Sequence, residues 1–458
     1  MVSRREHLTH DDDERGAAAR RLLRSANLPW IALAVLLALA FSLRADSYFA
    51  NPRPLGGGGL AGEQAEMARN IVEHGKWFVL NPRAFELIKQ RQARAHHLVD
   101  VSKIDFTRVD QKTRAYPVVD QMPGVAAVLA AFWWPTGSRS YTPIQWLQIL
   151  LDTAMVLLIY WIAYRLTRRH PAAFLAALLY AVFPRAIEFA KYPVLDTWAM
   201  FFTIACVGAF VWARERPESR GRLVLLGVVA GLGIYFRPFV VLLPFTLALV
   251  ATPGGGWKRR LTWMAVPTAI ALVLLSPWTI RNYYEFHRFI PTRTGLGQAV
   301  FEGVGQGKTD EHSKAYVQQH RPGARYGSPV YDDFLLGGAA RAIADHPGFY
   351  ARLVWHRAER YLLPCLLVLL VWRRWRNAAL VPVAAVAATV MPYLLIGDDR
   401  RFYRPAFFAY FILLAMVIDL AFSYLAGSPL ASRARARLSR RSAVHAHHSA
   451  QPPTGSGR

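Results

Sequence analysis

The chain has 458 residues, 53% of them hydrophobic, and a formal net charge of +25. Its apolar residues are gathered into repeated blocks of roughly 17 to 25 residues, each long enough to cross a bilayer as a helix. This pattern excludes a row of soluble domains joined by polar linkers and the short alternating strands of a membrane barrel. The basic residues cluster between the apolar blocks and in the tails, as topology determinants do, so nucleic acid is not expected as a partner.

Three regions are predicted along the chain. Residues 1–27 form a polar tail with arginines beside the first apolar block, which indicates a cytoplasmic location. Residues 28–426 form a transmembrane domain. Its first helix, 28–43, is not followed by a small-residue cleavage site and is therefore expected to be retained. Residues 427–458 are rich in Ser, Arg, His, Pro and Gly, which is typical of a disordered basic tail.

Two long outer loops are predicted, at 44–140 and at 282–354. The apolar run 124–135 in the first loop has only about twelve residues, which is short for a crossing. We interpret it as a juxtamembrane or re-entrant helix. With helix 28–43, the remaining apolar blocks give about ten transmembrane helices. These blocks are 141–166, 172–187, 195–213, 222–236, 238–251, 261–280, 357–372, 377–396 and 405–425.

The loops that this topology places in the cytoplasm are the basic ones, in agreement with the positive-inside rule. They contain Arg165, Arg168 and Arg169; Arg214, Arg216, Arg220 and Arg222; Lys258, Arg259 and Arg260; and Arg373, Arg374 and Arg376. Transporters usually have short loops and a binding site at the midplane of the bilayer. Two long outer loops therefore favour chemistry at the outer membrane surface.

An amphipathic helix is predicted in the first loop, over LAGEQAEMARNIVEHGKW and ended by Gly75. Glu63 falls at the edge of its apolar stripe, while Glu66 lies on the opposite, polar side. A carboxylate at such an edge is placed to accept a proton from an acceptor hydroxyl. The alternative is an acid that is favoured near a helix N-terminus by the helix dipole.

Asp196, in the segment YPVLDTW, is predicted at the outer start of a helix. Aspartate is a favoured N-cap residue, and an acid in this place can also orient a substrate or a catalytic partner. Both interpretations are open from the residues alone.

Several arginines lie on the outer side, against the positive-inside trend. They are Arg237, Arg281, Arg400, Arg401 and Arg404. Each can snorkel or complement a helix C-terminus. As a group they predict a basic ring at one membrane face, which suits a lipid phosphate because guanidinium groups bind phosphate oxygens bidentately.

Six segments in chain order carry a resemblance to a known superfamily. They are GEQAEMARNIVEHGKW, YPVVDQMPG, VLDTWAMFF, GLGIYFRP, SPWTIRNYYEFHRFIPTRTG and RRFYRP. With these segments the chain resembles the GT-C membrane glycosyltransferases, the superfamily of the protein O-mannosyltransferases and the lipid A aminoarabinose transferase. The resemblance implies a GT-C type fold, all-α and polytopic, with juxtamembrane helices in the first outer loop.

The resemblance also implies roles for particular residues. A first-loop carboxylate is the proposed catalytic base of such enzymes, which maps onto Glu63. The family more often has an acidic pair followed by an aromatic residue. This chain has Glu63 after a glycine and no tyrosine, so Glu66 and Asp120 stay open as substitutes. Asp196 matches a second site acid.

The predicted substrate-binding set contains the remaining candidates. Arg237 and Arg401 match positions that the resemblance implies in contact with the lipid phosphate, and Arg281 joins them from the basic ring. The set is completed by Glu66, Asp120, Lys191 and Tyr403. The histidines and cysteines have no metal-ligand spacing, so no metal site is assigned, and a divalent metal stays open.

We therefore predict a glycosyltransferase of a bacterial inner membrane. It would move a sugar from a polyprenyl-phosphate-linked donor to a glycan, lipid or protein acceptor at the outer face, with inversion and with no further cofactor identified. One alternative is a transporter or flippase of a lipid-linked saccharide, which needs the basic ring but no base. Another is a non-catalytic membrane scaffold.

Overall fold

A computed structural model of the protein describes residues 29–50, 59–107, 109, 115–252, 254, 256–305, 309–397 and 403–427. Within these ranges the chain is almost wholly helical, and its strands form one two-stranded sheet. The predicted all-α class is confirmed. Arg400, Arg401, the predicted tail 1–27 and the predicted tail 427–458 apart from its first residue lie outside the described residues.

The helices follow one another in chain order, most of them apolar. They are α1 (Pro29–Ala50), α2 (Gly59–His74), α3 (Pro82–Ala95), α4 (Gly124–Thr136), α5 (Thr142–Thr167), α6 (His170–Ala181), α7 (Pro184–Phe189), α8 (Leu195–Glu215), α9 (Arg220–Ile234), α10 (Leu242–Ala251), α11 (Gly256–Phe286), α12 (Leu296–Gly303), α13 (Asp310–His320), α14 (Pro329–Asp345), α15 (Pro347–Leu362), α16 (Leu367–Ile396) and α17 (Phe407–Gly427). Strands β1 (Val79–Leu80) and β2 (Tyr116–Pro117) pair antiparallel.

Six described helical segments are long and apolar enough to cross a membrane. They are Pro29–Ala50, Thr142–Thr167, Leu195–Glu215, Gly256–Phe286, Pro347–Ile396 and Arg404–Leu425. Shorter apolar helices lie at Gly124–Thr136, His170–Ala181 and Pro238–Ala251. The count of about ten crossings stays a prediction, and the predicted short helix at 124–135 is observed as α4.

The first helix is longer than predicted. The predicted helix ends at residue 43, just before Arg44, but α1 continues to Ala50. Arg44 is fully buried, and its Nε donates to Asp152 Oδ1 of α5 at 2.5 Å. The hydroxyl of Tyr180 donates to the other carboxylate oxygen at 3.0 Å. A charge inside an apolar helix is tolerated here because its counter-charge lies on a neighbouring helix.

The helix predicted at 172–187 is also divided. α6 ends at Ala181 and α7 begins at Pro184. The residue before the proline, Phe183, has an extended backbone (φ −69°, ψ 114°). This break follows from the steric conflict between a proline ring and a preceding helical residue.

The two helices predicted at 357–372 and 377–396 are observed as a hairpin. The backbone of Trp375 is non-helical (φ −133°, ψ 30°). Arg357 Nη1 donates to the carbonyl of Leu394 at 3.0 Å, although a straight helix would separate two residues 37 positions apart by about 55 Å. The chain therefore doubles back at Trp375, and the start of the descending arm, α15, lies earlier than predicted.

Small residues allow the central helices to approach closely. A Cβ on Gly227 of α9 would lie 2.8 Å from the carbonyl oxygen of Pro267 in α11, and one on Gly231 would lie 3.1 Å from the Cα of Ala271. Such contacts are typical of helices that pack within a membrane. They fix α9, and with it the turn that follows it, against the core.

Both long loops lie at one end of the bundle, which we call the loop end. Segment 115–124 of the first loop lies against the α9–α10 turn, where Gly124 N donates to the carbonyl of Tyr235 at 2.9 Å. In the second loop, Arg357 Nη2 of α15 donates to the carbonyl of Gly303 at 2.5 Å and ties α12 to the end of α16. The loop end is therefore where elements distant in sequence converge.

Candidate functional site

Helix α2 presents the first candidate, Glu63. The helix ends at His74, and Gly75 follows with a positive φ of 61°, as predicted. Its small buried residues Ala65 and Ala68 pack into the apolar core of the first loop. Glu63 is partly buried and forms no hydrogen bond or ion pair with any residue that the structure describes.

The surroundings of Glu63 disfavour its charge. Burial raises the pKa of Glu63 to about 8, and the neighbouring Asp120 carboxylate contributes to this increase. Lys314 of α13 opposes it, while Asp310 of the same helix adds to it. A carboxyl group with this pKa can exchange a proton near neutral pH.

Asp120 follows β2 and lies against the second loop. Burial raises its pKa, whereas the charges of Arg293 and Arg325 lower it. The nearby turn is close to the carboxylate, because a Cβ on Gly327 would lie 2.5 Å from Asp120 Cγ. Thr294 reinforces this junction, since its hydroxyl donates to the carbonyl of Gly327 at 2.7 Å.

Arg293 connects the acids to the membrane helices. Its Nη1 donates to the carbonyl of Asp120 at 3.1 Å. Burial and the neighbouring charge of Arg237 lower the pKa of Arg293, and Tyr393 and Asp120 oppose this effect. Arg293 is therefore bonded to the backbone of Asp120 and is close enough to Arg237 to feel its charge.

Asp196 and Arg237 form a buried ion pair. Arg237 Nη2 donates to Asp196 Oδ1 at 3.0 Å, and the two residues are 9% and 8% exposed. Arg237 also hydrogen-bonds the side chain of Tyr393 in α16. Asp196 lies in the first turn of α8, whose N-cap residue is Val194 without a side-chain capping bond. The alternative that Asp196 is an N-cap is therefore wrong.

These residues are linked by the hydrogen bond of Arg293, the Arg237–Asp196 ion pair and the electrostatic interactions between neighbouring charges. We call them the acid–arginine cluster. It consists of Glu63, Asp120, Arg293, Arg237 and Asp196. Two of the predicted candidates, Asp196 and Arg237, are in direct contact, and Glu63 joins the cluster through its electrostatic interaction with Asp120. Asp120, the predicted substitute for Glu63, is its neighbour.

Glu66, predicted on the polar side of α2, lies in a buried polar network instead. Its carboxylate is fully buried and accepts from Arg69 Nε at 2.8 Å and from Asn70 Nδ2 at 2.9 Å. Asn70 also donates to the carbonyl of Val79 at 3.0 Å. Glu66 thereby ties α2 to β1, and its oxygens are engaged by protein donors.

The other predicted contacts hold backbone segments together. Arg281 donates to the carbonyls of Val118 at 2.7 Å and Phe78 at 2.9 Å. Lys191 donates to the carbonyl of Ser47 at 2.7 Å, at the end of α1. The fully buried Tyr403 donates to the carbonyl of Gly397 at 3.0 Å. Their roles in binding a substrate stay predictions.

Three cations near the acids, Arg293, Arg325 and Lys314, are not among the candidates predicted from the sequence. Arg293 lies within the segment PTRTG of a motif that carries the resemblance, as a lone cation in a short polar turn, and this was the available signal. Arg325 lies 3.8 Å from the ring centre of Tyr116, and Lys314 lies 4.1 Å from that of Tyr326. Among the described residues, no group of three or more His, Cys, Asp or Glu is arranged to hold a metal ion.

Part of this site lies in a stretch of the chain that matches a known protein family. A sequence model of the family described as dolichyl-phosphate-mannose-protein mannosyltransferase matches residues 120–280. This stretch includes Asp120, Asp196 and Arg237. Glu63 and Arg293 lie outside it.

Curated relatives match stretches of this chain that are similar in length to the family match. Two are named undecaprenyl phosphate-alpha-4-amino-4-deoxy-L-arabinose arabinosyl transferase. The Erwinia tasmaniensis protein is 27% identical over 166 residues, 33% of this chain and 29% of that protein. The Pseudomonas paraeruginosa protein is 34% identical over 140 residues, 29% of this chain and 25% of that protein. The matched part of the chain thus spans less than a third of the length of these relatives.

A solved structure is similar to this chain in its fold. The oligosaccharyltransferase of Archaeoglobus fulgidus superposes with a TM-score of 0.51 at 13% identity, over 85% of this chain and 49% of that chain. At this identity the likeness concerns the fold alone. The predicted GT-C type fold and the resemblance to the GT-C membrane glycosyltransferases are confirmed.

Proposed function

Because the chain resembles the GT-C superfamily of membrane glycosyltransferases in sequence and fold, we propose that it transfers a sugar from a polyprenyl-phosphate carrier to an acceptor. The observation that carries the proposal is the acid–arginine cluster. It combines a carboxyl group that has no hydrogen-bond or ion-pair partner among the described residues with two arginines whose charges influence each other. Transfer from a lipid phosphate needs a base for the acceptor and cations for the departing phosphate.

Glu63 serves as the base. Its pKa of about 8 lies close to neutral pH, where a base is both partly ionised and strong. Asp120 supports this role as a neighbouring carboxylate that keeps Glu63 basic. The acceptor is a hydroxyl or amine of a glycan, a lipid or a protein.

Arg237 and Arg293 hold the carrier phosphate. The acceptor oxygen or nitrogen forms a bond to the anomeric carbon while the bond from that carbon to the phosphate oxygen breaks. The polyprenyl phosphate leaves with the electron pair, and the acceptor proton passes to Glu63. Attack from the face opposite the phosphate inverts the anomeric configuration. Asp196 positions Arg237 through their 3.0 Å ion pair.

The loop end faces away from the cytoplasm in this proposal. The basic turns between α5 and α6 and between α8 and α9 lie at the other end of the bundle, and cytoplasmic loops are enriched in such residues. The curated relatives come from bacteria. A bacterial inner membrane, with the transfer at its outer face, follows as the proposed location.

The decisive experiment is complementation of a gene deletion with Glu63→Gln. Lipid, protein and cell-wall glycan fractions are compared by mass spectrometry. We expect one sugar-modified product to disappear in the deletion strain, to return with the wild-type gene, and to stay absent with Glu63→Gln. Glu86→Gln is the matched control, because Glu86 lies half-exposed in the same loop and, among the described residues, pairs with Lys89 at the surface.

Full restoration of the product by Glu63→Gln would contradict the proposed base. Restoration would instead favour the flippase alternative, in which the basic residues bind the carrier and no proton is moved. Retention of polyprenyl phosphate by the purified Glu63→Gln protein, measured in parallel, separates a loss of chemistry from a loss of binding.

A further inference from the structure

A second cationic site lies at the other end of the bundle. The hairpin turn of α16 carries the sequence WRRWRN, and its residues line an open cavity of about 480 Å³. The lining consists of Leu166 at the end of α5 together with Trp372, Arg373, Arg374, Trp375, Arg376, Asn377 and Ala378. We call this cavity the hairpin pocket.

The hairpin pocket is remote from the acid–arginine cluster. Tyr393, which contacts Arg237, is 18 residues along α16 from Trp375, which corresponds to about 27 Å of helix. Leu166 is 21 residues from Gln145, whose side chain donates to the carbonyl of Lys191 at the loop end. Both separations are close to the thickness of a bilayer's hydrocarbon core, about 30 Å.

The arginines of the hairpin pocket differ from their neighbours at the same end. Arg169 pairs with Asp419 at 2.5 Å, and Arg165 pairs with Glu215 at 2.5 Å. The pocket's own three arginines are exposed and form no hydrogen bond or ion pair with a described residue. Three positive charges beside one cavity, with no acid paired to them in the part of the chain that the structure describes, repel one another, so an anion would relieve this repulsion.

The apolar surroundings of the hairpin pocket indicate which kind of anion it would bind. Leu369 and Leu370, one turn before the pocket, are 65% and 62% exposed and face the lipid phase in a membrane helix. Trp372 is 40% exposed, and tryptophan is enriched at membrane interfaces. The guanidinium carbon of Arg374 lies 5.1 Å from the ring centre of Trp375. This cation–π contact fixes one positive charge within the lining of the pocket.

From this geometry we propose that the hairpin pocket binds the headgroup phosphate of an anionic phospholipid. The arginine forks hold the phosphate oxygens, the tryptophans lie at the level of the headgroup, and the acyl chains lie along the exposed leucines. The bound lipid neutralises the turn and anchors the hairpin whose other end supplies Tyr393 to the acid–arginine cluster.

The test is native mass spectrometry of the purified full-length protein with added lipid. The wild-type protein should retain one phosphatidylglycerol in preference to phosphatidylcholine of the same acyl chains. The variant R373Q/R374Q/R376Q should lose this preference by about tenfold or more, since it removes the charge-assisted hydrogen bonds to the phosphate. The control R216Q/R220Q/R260Q removes three exposed arginines at the same end and should behave as wild type.

Equal retention of phosphatidylglycerol by the two triple variants, or equal retention of both lipids by the wild-type protein, would overturn the proposal. Saturation of the site by soluble glycerol phosphate at the concentrations that suffice for the lipid would also overturn it, because a free anion would then be the ligand. The variant R373K/R374K/R376K keeps the charge and guards against misfolding. It should bind the lipid more weakly than wild type and more tightly than the glutamine variant.

Discussion

Glu63 is a carboxylic acid whose surroundings penalise its negative charge. With a pKa of about 8, most of the carboxyl groups are protonated at pH 7 and most are ionised at pH 9. Because only the ionised form accepts a proton, we expect kcat/KM for sugar transfer to rise about tenfold per pH unit below pH 8 and to level off above it. Initial rates between pH 6 and pH 9.5 test this prediction, and a flat profile would exclude Glu63 as the base.

The same pKa makes a prediction for stability. The folded-state pKa lies above the ordinary value of 4.5, so the folded protein binds a proton that the unfolded chain releases. The contribution of Glu63 to stability is therefore complete below pH 4.5 and is lost as the pH rises through 8. We expect the thermal midpoint of Glu63→Gln, relative to wild type, to increase between pH 5 and pH 9. A difference in thermal midpoint that stays constant with pH would show that folding does not raise the pKa of Glu63.

Arg293 is the cation that the sequence analysis did not assign. If it holds the carrier phosphate, Arg293→Gln should weaken retention of polyprenyl phosphate by about tenfold to a hundredfold, since hydrogen bonds to charged groups contribute about 1.5–3 kcal/mol. Arg293→Lys should recover part of this loss. Arg288→Gln is the control, because Arg288 lies five residues earlier in an exposed pair with Asp333. Similar losses in Arg293→Gln and Arg288→Gln would point to a general charge effect.

At the scale of elements, the turn that carries Gly327 is a structural support of Asp120. Gly327 has a positive φ of 73°, and a Cβ there would lie 2.6 Å from Asp120 Oδ2. We expect Gly327→Ala to displace this turn or the carboxylate and to reduce transfer. Gly323→Ala is the control, since Gly323 also has a positive φ, 92°, but a Cβ there meets nothing within 4 Å.

Comparison of the two alanine variants separates backbone strain from the steric conflict. Both carry the cost of placing a non-glycine residue in the left-handed region, about 1–2 kcal/mol. Only Gly327→Ala adds the conflict with Asp120. Transfer rates and thermal midpoints measured together should show equal or greater destabilisation for Gly327→Ala and a loss of activity in that variant alone. Equal activities would contradict the supporting role.

Helices that depend on local patterns could be predicted from the sequence, and breaks that depend on tertiary contacts could not. The end of α2 is predicted by Gly75, which follows the helix with a positive φ. The start of α8 at Leu195 is predicted by the beginning of an apolar block. The end of α1 was placed too early because the partner of Arg44, Asp152, lies more than a hundred residues away. A charge signals a helix end only when its counter-charge is absent.

For the molecule as a whole, the candidate site could be predicted in part. Glu63, Asp196 and Arg237 lie on helices or helix ends whose direction the periodicity determines. Arg293 and Gly327 belong to the second loop, and their position beside Asp120 arises from contacts between two loops distant in sequence. Local patterns carry no information on such contacts, so a single sequence does not specify this half of the site.

The buried Arg44–Asp152 pair tests how the membrane bundle is held together. Arg44 is 0% exposed and Asp152 is 1% exposed, and the hydroxyl of Tyr180 donates to the Asp152 carboxylate. Removal of one partner leaves an uncompensated charge, which typically costs about 3–5 kcal/mol, whereas replacement of the whole group by apolar residues is often neutral or stabilising. We therefore expect Asp152→Leu to lower the thermal midpoint strongly. The triple variant R44M/D152L/Y180F should recover most of that loss, and thermal unfolding in detergent compares the two.

Failure of the triple variant to recover would mean that the pair specifies the arrangement of α1, α5 and α6 rather than merely avoiding a buried charge. Arg44 Nη1 supports this distinction, because it also donates to the carbonyl of Ala181, the last residue of α6, at 3.0 Å. A methionine cannot replace that bond. Recovery of stability without recovery of sugar transfer would then identify the α6–α7 break, and through it the segment that leads to Asp196, as the part of the bundle that Arg44 positions.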